Sequence, residues 1–206
     1  MLNDIRLVPL SPNDRERFIS DNQKAFNYGA LEEFGCRDTR FEDDGEIISR
    51  ETIGSSIDNG EAYRIMQNGQ PAGGAVISVN GNHGELDLLF VSPELHSRGI
   101  GYKAWCIIER MHPEVTVWET VTPYFEKRNI HFYVNRCGFH IVEFYNCRNP
   151  DPHDTDSGKG SPGDFPEMFR FQKVIAGAAS CENELSLHLG QADRENSWTA
   201  LSAGRR

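Results

Sequence analysis

The stretch E85-L-D-L-L-F-V-S-P-E-L-H-S-R-G-I-G-Y-K-A104 decides the fold. Leu86 to Val91 is an alternating and then apolar run long enough for a buried strand. Ser92-Pro93 ends it, because proline has no N–H for the ladder and fixes φ. A short polar turn follows through Arg98-Gly99-Ile100-Gly101. A helical pattern then runs to Met111, with Ile100, Ala104, Ile107, Ile108 and Met111 on one face, closed by His112-Pro113. The order is strand, glycine-bearing turn, helix start. The first N–H groups of a helix have no intrahelical partner and carry partial positive charge. Glycines remove the side chains that would keep a phosphate from those amides. The turn reads as an anion site, suited to a pyrophosphate. It is not the nucleoside-triphosphate loop, since no Gly-Lys-Ser/Thr follows, nor the three-glycine dinucleotide fingerprint.

Upstream, the chain reads as β structure. Ala62 to Met66 is a strand, Asn68-Gly69 a hairpin turn, Pro71 to Val79 the returning strand, and Asn80 to Gly84 the next turn. A three-stranded meander therefore leads into the anion turn, with Glu85 to Val91 as its last strand. Further out, Ile5 to Leu10 reads as an edge strand because of Pro9. Ser11-Pro12 starts a helix carrying Phe18, Ile19, Gln23 and Phe26, residues 28–45 read as a partly ordered loop, and Ile47 to Ile57 as a second helix. Downstream, Val115 to Trp118 reads as a strand and Tyr124 to Arg136 as a helix. Gly138 to Phe144 and Met168 to Val174 are strands, joined by a turn-rich loop over 149–163. One domain over 1–175 and a tail over 176–206 with no assigned chemistry are expected.

Composition excludes some classes. The chain has 206 residues and a net charge of −10, which argues against a nucleic-acid surface and permits a cationic substrate. No apolar run reaches membrane-span length, and MLNDIRLVPL lacks the pattern of a secretory signal, so no membrane partner is expected. Five cysteines, an odd number without a CxxC pair, suggest neither a disulfide framework nor a metal site and fit a reducing cytoplasm.

Val91-Ser92-Pro93-Glu94 followed by Arg98-Gly99-Ile100-Gly101 resembles the acyl-CoA motif of the GNAT superfamily of N-acetyltransferases. There, a strand ends in a V-x-P-like turn, then Gln/Arg-x-x-Gly-x-Gly/Ala opens a helix. His96 stands at the Gln/Arg position, a departure. Downstream, Asn129-Ile130-His131-Phe132-Tyr133 with Cys137-Gly138-Phe139 resembles the family's Phe-Tyr-x-x-x-Gly-Phe signature. The resemblance covers roughly Glu61 to Val174. It implies an α/β (α+β) fold with a mixed, mostly antiparallel central sheet flanked by helices. It also implies acetyl-CoA as co-substrate, no metal, and a small-molecule or peptide amine as acceptor, and it leaves a homodimer open.

Acetyl transfer to an amine needs an uncharged nucleophile, an oxyanion donor and a proton for the leaving thiolate. The resemblance makes Tyr133 the general acid. Glu85 and Asp87 share a strand face by alternation, with Leu86, Leu88 and Phe90 expected on the other, and this carboxylate pair is the candidate base. Glu85 falls where some family members carry a glutamate base. His83 and His131 are alternatives. The resemblance further implies backbone contacts from Phe90 and Val91 to the pantetheine arm and amides of Arg98, Gly99, Ile100, Gly101 and Tyr102 on the pyrophosphate. His96 and Asn129 are expected to flank the cofactor, although in many members the asparagine lies further upstream. Lys103, Lys127, Arg128 and Arg98 are candidates for the phosphates. A non-catalytic acyl-CoA-binding module and a transferase using another acyl-CoA are the rival readings.

Overall fold

The computed structural model describes residues 4–34, 46–96, 98–152 and 167–175. Its centre is a seven-stranded sheet in the order β1-β2-β3-β4-β5-β7-β6. The strands are β1 (Ile5–Pro9), β2 (Glu61–Gln67), β3 (Gln70–Asn80), β4 (His83–Val91), β5 (Val117–Pro123), β6 (His140–Tyr145) and β7 (Met168–Val174). β1 through β4 pair antiparallel, as do β6 and β7, while β4 and β5 run parallel. This is the mixed, mostly antiparallel sheet flanked by helices that the resemblance implied. Pro9 ends an edge strand, where its missing N–H costs no ladder bond.

Helices α1 (Arg15–Phe34) and α2 (Arg50–Asn59) cover one face of the sheet. Phe18, Ile19 and Ile53 pack there on Val76, Leu88 and Phe90. Phe18 meets the Phe90 ring edge-on at 5.1 Å. A Cβ on Gly74 would come within 2.2 Å of the Phe18 ring, so only glycine lets that ring lie against the strand. Helix α3 (Ile100–Met111) covers the other face, where Ile100 and Ala104 join Ile65 and Ala72, with Leu89 and Val91 packed against them. Beyond them an aromatic cluster continues through Trp105, Trp118 and Phe139.

Several expected boundaries move. Helix α1 runs on to Phe34 where a loop was expected from residue 28. Ala30, Leu31, Glu32 and Glu33 are good helix formers, and the single Gly29 costs only about 1 kcal/mol. Ile47 and Ile48 precede α2, held by Asn27 and Gln23 of α1, and Ser49 caps the helix through a 3.0 Å bond from the Thr52 N–H. β5 extends to Pro123. The helix expected over Tyr124–Arg136 is a short α4 (Lys127–His131) followed by a π-helical turn, Phe132–Cys137. The Tyr124 N–H instead bonds Glu167 C=O, at 3.0 Å. Most of the 149–163 loop and all of the 176–206 tail lie outside the described residues.

The β4 register corrects one expectation. Val76 pairs with Leu88 but Ile77 pairs with Leu86, so Asp87 is an extra residue in a β-bulge. The bulge breaks the alternation: Leu88 and Phe90 face α1 and α2, whereas Leu86 pairs on the Ile77 face opposite. Glu85 and Asp87 do share a face, since Glu85 pairs with Ser78 and the Ser78 hydroxyl donates to Asp87 at 3.0 Å.

Candidate active site

β4 pairs with β5 at only three positions, ending at Glu85 opposite Glu119. Leu89, Phe90 and Val91 lie beyond that pairing and line one wall of a cavity of about 450 Å³. The start of α3 (Gly99, Ile100, Gly101, Tyr102) forms a second wall, α4 and the π-turn a third, and Ala25, Phe26 and Gly29 of α1 a fourth. Gly99 caps α3 at φ +73°, a left-handed conformation that favours glycine. Gly99 offers no side-chain cap and the first turn of α3 holds no acidic residue, so no carboxylate of α3 itself competes for its first amides. A Cβ at Gly101 would enter the cavity 3.5 Å from the Phe132 ring and 3.6 Å from Val91, an ordinary contact. The space it leaves is therefore room rather than relief of strain.

Two guanidiniums reach this cavity. Arg136 lies over the Tyr102 ring at 5.3 Å. Arg128 stands 2.6 Å from His96 Nδ1, and His96 Nε2 is 2.6 Å from the Val91 carbonyl. Asn129 also lines the cavity, its amide 3.5 Å from the Thr122 hydroxyl. An open strand end, bare helix amides and two arginines form a donor set suited to an elongated polyanion such as CoA.

The structure brings Phe90, Val91, His96, Gly99, Ile100, Gly101, Tyr102 and Asn129 together around the cavity. Arg98 and Lys103 are exposed and lie outside its lining, as does Lys127. His131 lines it, with Asn135 3.3 Å from its Nδ1. His83 is exposed, 3.6 Å from Glu119 at the far end of β4. The sequence reading missed Glu126 and Arg136. Glu126 is a buried carboxylate in the lining, one helical turn before Asn129; Arg136 follows Phe132 by four residues. Helical spacing from the signature residues would have found both.

Of the titratable candidates, Glu85, Asp87 and Tyr133 lie outside the lining. Burial raises the Asp87 carboxyl from the ordinary 3.8 to about 6, the Glu85 charge adds to this, and the Ser78 bond opposes it. Glu85 is exposed. Tyr133 is buried, with Phe139 and Phe171 rings at 5.7 and 5.5 Å. Burial lifts its phenol to about 12, against a hydrogen bond with Thr120 that pulls it down. Thr120 in turn donates to Leu86 C=O at 2.8 Å. The signature spacing also needs correction. Four residues, Val134 to Cys137, separate Tyr133 from Gly138, one more than Phe-Tyr-x-x-x-Gly-Phe allows. The π-turn absorbs the extra residue: the Gly138 N–H reaches Tyr133 C=O five residues back.

Among the described residues, no helix is long and apolar enough to cross a membrane. Residues 23–139 match the acetyltransferase (GNAT) family. The uncharacterized protein YrkN of Bacillus subtilis (strain 168) is 44% identical over 79% of this chain and 89% of its own. The ribosomal-protein-S18-alanine N-acetyltransferase of Escherichia coli shares the fold with a TM-score of 0.58 at 17% identity, over 85% of this chain and 96% of that one. The PaiA N-acetyltransferase of Thermoplasma acidophilum, in complex with coenzyme A, shares it with a TM-score of 0.58 at 16% identity, over 84% and 99%.

Proposed function

This chain belongs to the acetyltransferase (GNAT) family, and from that premise we propose that it transfers an acetyl group from acetyl-CoA to a primary amine of a small molecule or peptide, directly within a ternary complex. The observation that carries the reading is the parting of β4 from β5 beside the bare start of α3, in one cavity. Amides from Arg98 to Tyr102 would hold the pyrophosphate. The backbone of Phe90 and Val91 would hold the pantetheine arm, with Asn129 across the cavity. Acetyl-CoA supplies the acyl group already activated as a thioester.

Asp87 is the proposed base. With its carboxyl at about 6 it is ionised at neutral pH and basic enough to accept a proton from an ammonium. Glu85 adds negative charge on the same face and is the alternative base. Tyr133 holds its proton up to about pH 12, so at its Oη it serves as donor and never as base. In this reading residues 1–175 form the catalytic domain, working in a reducing cytoplasm, with no metal, nucleic-acid or membrane partner. The placement of Tyr133 outside the cavity lining favours one other reading, a module that binds acyl-CoA without turnover. Calorimetric titration with CoA, followed by thiol release from acetyl-CoA over polyamines, aminoglycosides, amino acids and peptides, is the test. Binding with turnover supports the transferase, binding without turnover supports the module, and no binding overturns both.

A further inference from the structure

We propose that His96 is a positioning residue: as a neutral, Nε2-protonated imidazole it latches Arg128 at the mouth of the cavity, ready for the cofactor's phosphates. The inference rests on the CoA reading above. Arg128 offers only N–H donors and does not lose its charge. At 2.6 Å from that guanidinium, Nδ1 of His96 must therefore present its lone pair. The ring's one remaining proton then lies on Nε2, which is 2.6 Å from the Val91 carbonyl, an acceptor only. Both bonds form in just one of the three imidazole states. The other tautomer would oppose donor to donor and acceptor to acceptor, and the imidazolium would set two cations against each other.

Through these bonds His96 joins the end of β4 to α4, and its ring meets Tyr28 of α1 edge-on at 5.4 Å. Val91, His96 and Arg128 all line the cavity, so the latch fixes a cation on its wall. The same chemistry accounts for the departure at the Gln/Arg position. A glutamine amide carries one donor and one acceptor group, as the neutral imidazole does, whereas arginine carries donors alone and could not receive Arg128. The extended Arg128 side chain loses rotamer freedom on docking, and the latch meets that cost before the ligand arrives.

The test pairs a spectrum with a double-mutant cycle. Imidazole 15N NMR of the ligand-free protein at pH 7 should show His96 as the Nε2–H tautomer with Nδ1 accepting. In CoA titrations, His96→Ala and Arg128→Ala should each weaken binding about tenfold, and the double variant should be no weaker than either alone, within about twofold. His96→Gln should stay within about threefold of wild type, and His96→Arg should match the loss in His96→Ala. Additive losses, a failed glutamine rescue, or an Nδ1–H or doubly protonated ring would overturn the latch. If wild-type protein bound no CoA, the cofactor reading would fall, while the imidazole spectrum would still decide whether His96 holds Arg128.

Discussion

Replacing Asp87 with asparagine should make the protein more stable and less active, with opposite pH signatures. The carboxyl is raised from 3.8 to about 6, chiefly by burial and then by the charge of Glu85. A raised acid favours the fold while protonated, and that contribution is lost as pH rises through the folded value. A rise of this size penalises the ionised form by about 3 kcal/mol above pH 6, and partial solvent access reduces this to about 1–2 kcal/mol. Asparagine keeps the shape and an oxygen for the Ser78 hydroxyl, which now donates at 3.0 Å, but never ionises. Urea unfolding of both proteins should therefore show Asp87→Asn more stable by about 1–2 kcal/mol at pH 8 and indistinguishable near pH 4. If Asp87 is the base, kcat/KM should fall at least about tenfold and the limb of the pH–rate profile near 6 should vanish. Equal stability at pH 8, or a loss of stability that does not vary with pH, would refute the desolvation argument. A variant stabilised as expected but fully active would leave the burial correct and move the base to Glu85.

Other expectations follow from the cavity and its supports. Gly101→Glu should leave the fold intact, since a Cβ there meets only ordinary contacts, yet weaken CoA binding by bulk in the cavity and by like charge against phosphate; unchanged affinity by calorimetry would remove Gly101 from the site. Gly99→Glu should lower both stability and CoA affinity, by about 1 kcal/mol of left-handed backbone strain and by like charge against phosphate. Tyr133→Phe should lower the single-turnover acetyl-transfer rate about 10- to 1000-fold with CoA affinity nearly unchanged; an unchanged rate would make Tyr133 a packing residue. Ser49→Ala should cost about 1 kcal/mol in urea unfolding, because its hydroxyl caps α2.

The strand–turn–helix order over 85–111 was legible because proline, glycine and helical apolar spacing each mark a boundary by local chemistry. The meander before it was legible for the same reason, through Asn68-Gly69, both at positive φ. The bulge at Asp87 was not, since register is set by pairing with Val76 and Ile77 across a turn and leaves no mark in β4 itself. Six of the candidate cofactor residues, Phe90, Val91 and Gly99 to Tyr102, line the cavity and were found by backbone continuity alone. Arg128 was named and helical spacing would have found Glu126 and Arg136, but that all three line the same cavity as β4 and α3 follows from the chain's return after β5, a tertiary outcome.

The π-turn bears most directly on how this site differs from the signature it resembles. Both ends of the turn are pinned. On one side Asn129 and Phe132 face the cavity; on the other Gly138 turns at φ +79° and Phe139 is buried against Trp105. An extra residue between fixed ends cannot extend the helix without rotating one end out of place, so it widens a single turn. Both the Gly138 and the Phe139 N–H then converge on the Tyr133 carbonyl, which makes Tyr133 the hinge point of the widened turn. That position accounts for its burial between Phe139 and Phe171 while its neighbour Phe132 lines the cavity. Deleting one residue from Val134 to Asn135 would restore the signature spacing and an ordinary α-turn. The deletion would separate a phenol placed for chemistry from one placed for packing: thiol release at unchanged CoA affinity should rise in the second case and fall in the first.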